Sequence, residues 1–285
     1  MVNEKNMSNK VILITGATDG IGKEAARQLA IMGAKIIIVG RNKSKSEAAI
    51  EELISISGNN EISYLLADLS SQSQIRQLAR DFKERFDRLD VLVNNAGSIF
   101  LRKRLSVDGI EMTFALNHLA YFLLTNLLLD ILKANAPSRI VNTSSGSHLS
   151  GKINFKDVGL SRGYIFQRAY AQSKLANVMF TFELASRLEG SGVTVNAFHP
   201  GFVKTNIGVN YNWLVRVLKP LIFHTGIPVK EGADTLVYLA SSPQVAGVSG
   251  KYFYRKKPRE TNPLARDREE QKRLWVLSEK MVGGI

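Results

Sequence analysis

The chain has 285 residues, 45% of them hydrophobic and 22% charged, proportions that fit a globular protein and exclude collagen-like, disordered and disulfide-scaffold classes. It contains no Cys, which closes disulfides, Cys-ligated zinc and thiol nucleophiles. Lys and Arg exceed Asp and Glu by 13, spread along the chain and densest from Arg255 to Arg273, without any recognition-helix, zinc-finger or aromatic-rich pattern that would aim charge at bases. The surplus therefore reads as a solvated surface that also favours phosphate, and nucleic acid is not an expected partner. The start, Met1 to Lys10, is polar, and no apolar run reaches the ~18 residues of a spanning helix, so the expectation is a cytoplasmic protein without a transmembrane anchor.

In chain order, apolar β-branched runs predict strands at Val11 to Thr15, Lys35 to Val39, Ile62 to Ala67, Val91 to Val93, Arg139 to Thr143, Val193 to Phe198 and Lys251 to Tyr254. Between them, helical periodicity predicts helices at Ile21 to Met32, Ser44 to Ile56, Ser73 to Phe86, Gly109 to Leu132, Tyr170 to Leu188 and Lys230 to Ala240. Strand and helix alternate throughout, the pattern of repeated βαβ units. The expected fold is a single α/β domain over residues 1–285, doubly wound, with a seven-stranded, mainly parallel sheet and helices on both faces. Its core spans 9–254. The extension 255–285 carries an amphipathic helix over Arg268 to Met281, which packs on the domain or on a partner subunit. Two irregular stretches, Gly146 to Gln167 and Phe202 to Pro228, are long enough to be functional loops.

Thr15-Gly16-Ala17-Thr18-Asp19-Gly20-Ile21-Gly22 leaves the first strand and opens the first helix. In that context Gly16 makes the sharp exit, Gly20 admits a pyrophosphate and Gly22 lets helix and strand approach, while the free N–H groups of the first turn face an anion. Thr18, Asp19 and Ile21 complete the turn. The second strand ends Val39-Gly40-Arg41, where a dinucleotide site selective for NAD would offer an acid to the ribose 2′-hydroxyl. The acid is missing and Arg41 suits a 2′-phosphate, so NADP(H) is favoured over NAD(H).

With these residues in place, the sequence resembles the short-chain dehydrogenase/reductase family. The resemblance rests on Thr15 to Gly22, on Asn94-Asn95-Ala96-Gly97, on Tyr170-x-x-x-Lys174 and on Pro200-Gly201. It extends to the retinol-dehydrogenase-like branch through Arg139 to Ser145, Ser173 to Asn177, His199-Pro200-Gly201 and the tail Arg273-Leu274-Trp275. A Rossmann-type fold and a hydride-transfer reaction follow from it as expectations. The resemblance also implies a homo-oligomer.

Carbonyl reduction places a hydride on carbon and a proton on oxygen. Tyr170 is the candidate acid, and Lys174, four residues on along one helix face, favours its phenolate and can reach the nicotinamide ribose. Ser145 is the candidate hydrogen-bond donor to the substrate oxygen, with Ser144 as its rival. Asn117, inside an apolar helix, takes from the resemblance a part in a proton relay behind Lys174, or is a structural amide. The resemblance also puts Asp68 and Leu69 beside the adenine and Asn94, Ala96 and Gly97 along the adenosine. Pro200, Gly201, Val203 and Thr205 fall near the nicotinamide. His148 and His199 lie in no ligand-spaced cluster, so no metal is expected. Within 202–228, the apolar segment Asn212 to Phe223 reads as a substrate lid, a peripheral membrane contact or core packing. A lid would suit a small lipophilic aldehyde, ketone, alcohol or retinoid-like substrate. The competing reading is a catalytically silent NADP(H)-binding sensor or scaffold.

Overall fold

The computed structural model describes residues 7–203 and 226–284. Eight strands form one sheet: β1 (Val11–Thr15), β2 (Lys35–Gly40), β3 (Ile62–Leu66), β4 (Val91–Asn94), β5 (Ser138–Thr143), β6 (Val193–Phe198), β7 (Lys251–Tyr254) and β8 (Lys257–Pro258). Their order is β3-β2-β1-β4-β5-β6-β7-β8, parallel except for the antiparallel pair β7 and β8. The eighth strand was not expected. It is a two-residue edge closed by Arg255 and Lys256, both at positive φ, and is too short to leave a period in the sequence.

Alternate residues of β1 bury into opposite layers. Ile12 and Ile14 join the cluster under α1 (Gly20–Ile31), α2 (Lys43–Ser57) and α8 (Val229–Ser241), while Val11 and Leu13 join the cluster under α3 (Gln72–Arg85), α5 (Ala120–Leu127) and α7 (Phe166–Arg187). Both faces of the sheet are therefore covered, as near-continuous apolar strands require. The chain crosses from one side of β1 to the other between β3 and β4, which opens a crevice at the carboxyl ends of β1 and β4.

The helix expected from Gly109 to Leu132 is not continuous. An antiparallel bridge between Leu105 and Glu111 holds its first residues in a turn, and the Glu111 carboxylate accepts the N–H groups of Thr113 and Phe114 to start α4 (Met112–Phe114). A π-helical turn, Ala115–Leu119, follows before α5, and α6 (Leu129–Ala134) is separate. The tail folds back on its own chain as α9 (Arg268–Met281). Leu274 and Trp275 enter the α7 layer, where the indole packs edge-on against Phe122 at 4.9 Å and beneath the Arg187 guanidinium at 3.9 Å. Among the described residues no helix is long and apolar enough to cross a membrane. Thr205 and the segment Asn212 to Phe223 lie outside the described residues.

Candidate active site

The phosphate-side turn is built by close backbone approach. Gly16 has φ +67° and a Cβ there would lie 2.7 Å from Ala96 Cα, so only glycine leaves β1 this way. A Cβ on Gly22 would collide with Gly16 O and lie 2.5 Å from Asn95 Nδ2. The next strand clamps the turn in place. Asn95 donates from Nδ2 to Thr15 O and Gly16 O at 3.1 and 3.2 Å, and Thr15 Oγ1 accepts the N–H groups of Asn95 and Ala96. Asp19 caps α1 through the Gly20 N–H. The first-turn N–H groups of Ile21 and Gly22 have no carbonyl ahead of them in the helix, and this end of α1 opens on the crevice. These are the features a dinucleotide pyrophosphate needs, and the residues fit such a group.

At the carboxyl ends of β4 and β5 the candidate catalytic side chains converge. Tyr170, half-buried, and Lys174, only 3% exposed, stand one turn apart on α7, with Nζ 5.6 Å from the centre of the Tyr170 ring. Lys174 Nζ donates to Thr143 O at 3.1 Å. Burial pushes its pKa down to about 7. The two rival serines have different surroundings. Ser144 is buried and donates to Lys174 O at 2.8 Å, whereas Ser145 is half-buried and only loosely engaged with Ser147. His148 Nδ1 lies 2.7 Å from Ser145 O and so steadies the backbone behind that hydroxyl. Asn117 sits in the π turn, an insertion often found at functional sites. Both of its amide hydrogens are used: Nδ2 donates to Ser98 O and Ser173 Oγ, and Oδ1 accepts the Ser98 N–H. Its backbone carbonyl accepts the Asn177 amide at 2.9 Å. A Cβ on Gly97 would lie 3.1 Å from Asn117 Oδ1 and 3.5 Å from Lys174 Nζ, so this glycine keeps the wall thin where the cofactor turn meets the reactive helix.

A family model described as short chain dehydrogenase matches residues 10–213. The chain belongs to the short-chain dehydrogenase/reductase family. Human retinol dehydrogenase 14 is 43% identical across 97% of this chain and 87% of its own length, which places the chain in the retinol-dehydrogenase-like branch of these oxidoreductases. Among solved structures, an uncharacterised protein from Mycobacterium Paratuberculosis superposes with a TM-score of 0.80 at 32% identity, covering 99% of this chain and 96% of its own. The Pseudomonas aeruginosa RhlG/NADP active-site complex does so with a TM-score of 0.72 at 26% identity, covering 89% and 97%.

Within this dehydrogenase fold the other anticipated contacts are unevenly disposed. Asp68 is half-buried, and its Oδ1 accepts the Ser70 N–H and hydroxyl, while Leu69 is buried. Asn94, expected to line the adenosine, turns its side chain inward, where Nδ2 donates to Thr125 Oγ1 and Asn142 Oδ1. β4 is buried on both faces, so its final residue points into the core as readily as toward the crevice. Val203 likewise directs its side chain against the start of α8, where a Cβ on Gly232 would lie 2.6 Å away, so a contact with cofactor falls to its backbone. Pro200 and Gly201 follow β6 after His199, whose Nδ1 accepts the Gly201 N–H. Three residues with a part in the site were not singled out from sequence: Asn95, which ties the turn to β4, and His118 and Asn177 behind Lys174. Asn95 and Asn177 left local signals, as the second Asn of the Asn94 to Gly97 motif and the last residue of the Ser173 to Asn177 stretch; His118 left none.

Proposed function

We propose that the protein transfers hydride between NADP(H) and a small lipophilic carbonyl or alcohol, with Tyr170 as the acid/base. The observation that carries this reading is the pairing of Tyr170 with the buried Lys174, while Ser144 is buried on the Lys174 carbonyl and Ser145 is half-buried with only long bonds to Ser147. A bound nicotinamide supplies or takes the hydride. In reduction, Ser145 donates a hydrogen bond to the substrate oxygen, and Tyr170 Oη gives that oxygen its proton as the carbon–oxygen double bond becomes single. The phenolate left on Tyr170 is held by the Lys174 ammonium beside it, a charge effect strengthened by burial. Oxidation of the alcohol runs the same transfers backwards.

Two further observations support the finer points. A Cβ at Gly40 would collide with Ser46 Oγ and lie 2.8 Å from Thr18 Cγ2, so β2 ends without room for an acidic side chain. The neighbouring Arg41 is exposed and in no ion pair among the described residues, which favours a 2′-phosphate. In the segments that flank Ser145, Tyr170 and Gly201 in the chain, Leu149, Ile165 and Phe202 are 60%, 42% and 54% exposed, apolar surface suited to a lipophilic substrate. The relatedness to retinol dehydrogenase 14 points the same way. A silent NADP(H) sensor would have no use for Asn117, Ser145, Tyr170 and Lys174 together. An NADPH-oxidation screen over lipophilic aldehydes and ketones, retinal included, tests the proposal. Turnover faster with NADPH than with NADH is expected; NADPH binding without turnover on any carbonyl would favour the sensor.

A further inference from the structure

Behind Lys174 the fold buries polar side chains that the proposed chemistry leaves untouched. His118, fully buried in the π turn, has Nε2 2.9 Å from Ser278 Oγ of α9 and Nδ1 3.3 Å from Asn177 Oδ1 of α7. Asn177 Nδ2 donates to Asn117 O at 2.9 Å and to Thr143 O at 3.2 Å. Thr143 O is the same carbonyl that accepts Lys174 Nζ.

Counting donors and acceptors fixes the sense of the bonds made by Asn177 and by His118 Nδ1. Two carbonyls require the nitrogen of the Asn177 amide on their side, so Oδ1 faces His118 and needs a donor. His118 must then carry its proton on Nδ1, which leaves Nε2 as an acceptor that shares the single Ser278 hydroxyl proton with Leu274 O at 2.8 Å. Desolvation pushes the His118 pKa down to about 4, in keeping with a neutral ring. The rings of Phe114, Phe122 and Phe180 surround it. The donors therefore run one way, from the C-terminal helix to the carbonyl under the reactive lysine.

We infer that Ser278, His118 and Asn177 are positioning residues, a directional hydrogen-bond chain through which α9 holds the Thr143 carbonyl beneath the Lys174 ammonium. The inference rests on the role given to Lys174 above. A buried ammonium depends on its acceptors, since water is not there to replace them. The titratable groups facing Lys174 are the Tyr170 phenol on its own helix and the Tyr121 phenol from α5, whose rings lie 5.6 and 5.8 Å from Nζ. β5 presents the Thr143 carbonyl and the loop after β4 presents Gly97. Neither group adds a carboxylate, so loosening Thr143 O disfavours the charged lysine further.

The test has two arms. Nitrogen-15 NMR of the wild-type protein should show His118 protonated on Nδ1; protonation on Nε2 overturns the chain whatever the variants do. In the second arm, Ser278→Ala and His118→Leu should move the alkaline limb of carbonyl reduction to lower pH by about half a unit or more, with NADPH affinity unchanged. His118→Asn, whose Nδ2 stands where Nδ1–H donates to Asn177, should restore the limb toward wild type. A merely structural role would lower activity at every pH and leave the limb in place, and that result overturns the proposal. Were the wild type inactive on every carbonyl, the reading of Lys174 would fall, while the tautomer would still decide whether the chain exists.

Discussion

At the residue scale, cofactor choice turns on a contrast between adjacent positions. Gly40 is hemmed in by Ser46 and Thr18, whereas Arg41 is exposed at the end of β2. A guanidinium paired with a 2′-phosphate makes charge-assisted hydrogen bonds worth about 1.5–3 kcal/mol. Arg41→Ala should accordingly weaken NADPH by about tenfold or more and leave NADH nearly unchanged in a calorimetric titration; equal losses would contradict the assignment. The missing acid was legible in the sequence, but the reason for it was not, because Ser46 meets Gly40 only once α2 has folded over the strand. The serines show the same limit. Ser144 and Ser145 are alike as letters and only the resemblance favours the second; the structure adds that the carbonyl of Lys174, brought alongside by α7, engages Ser144. The inward turn of the Asn94 side chain was not legible for a related reason: a strand buried on both faces has no alternation to say which way its last side chain points.

At the element scale, the strand–turn–helix unit was readable because its signals are local: an apolar run, spaced glycines and a helix start. Its geometry makes a sharp demand at Gly22, where an added methyl would meet Gly16 O and Asn95. Gly22→Ala should therefore displace the turn and weaken NADPH binding by about tenfold or more, a loss of roughly 1.4 kcal/mol. Gly159→Ala is the control, since its Cβ would meet only Glu111 Cβ at an ordinary 3.7 Å; fluorescence titration of NADPH against both variants checks the contrast. The π turn was not legible. The segment from Met112 to Leu127 contains no Gly or Pro and is largely buried on all sides, so a one-residue insertion changes register without exposing an apolar face. What creates the turn is tertiary, the pairing of Asn117 with the Ser98 backbone. Helix α9 was visible from its period, yet its contact with the reactive helix through Ser278 and His118 joins residues 160 positions apart and leaves no pattern in the sequence.

At the scale of the whole molecule, the charge surplus is less concentrated than the run from Arg255 to Arg273 suggests. Arg255, Lys256, Arg266 and Lys272 pair with Glu231, Asp234, Glu260 and Glu269, exposed pairs that contribute little to stability and blunt the basic tail. The topology was recoverable because βαβ units admit one hand and alternate strictly along the chain, and only the two-residue β8 escaped. The same topology gathers the carboxyl ends of β1, β4, β5 and β6 on one side, with the glycine turn at one end of the crevice and Tyr170, Lys174 and Ser145 at the other. The account's central claim is that Tyr170 passes the proton there. It is tested most directly by comparing Tyr170→Phe with wild type for both NADPH affinity and NADPH-dependent carbonyl reduction. Binding should be retained while turnover falls by about 10²–10⁴-fold, the usual contribution of a positioned acid; turnover near the wild-type rate would contradict it.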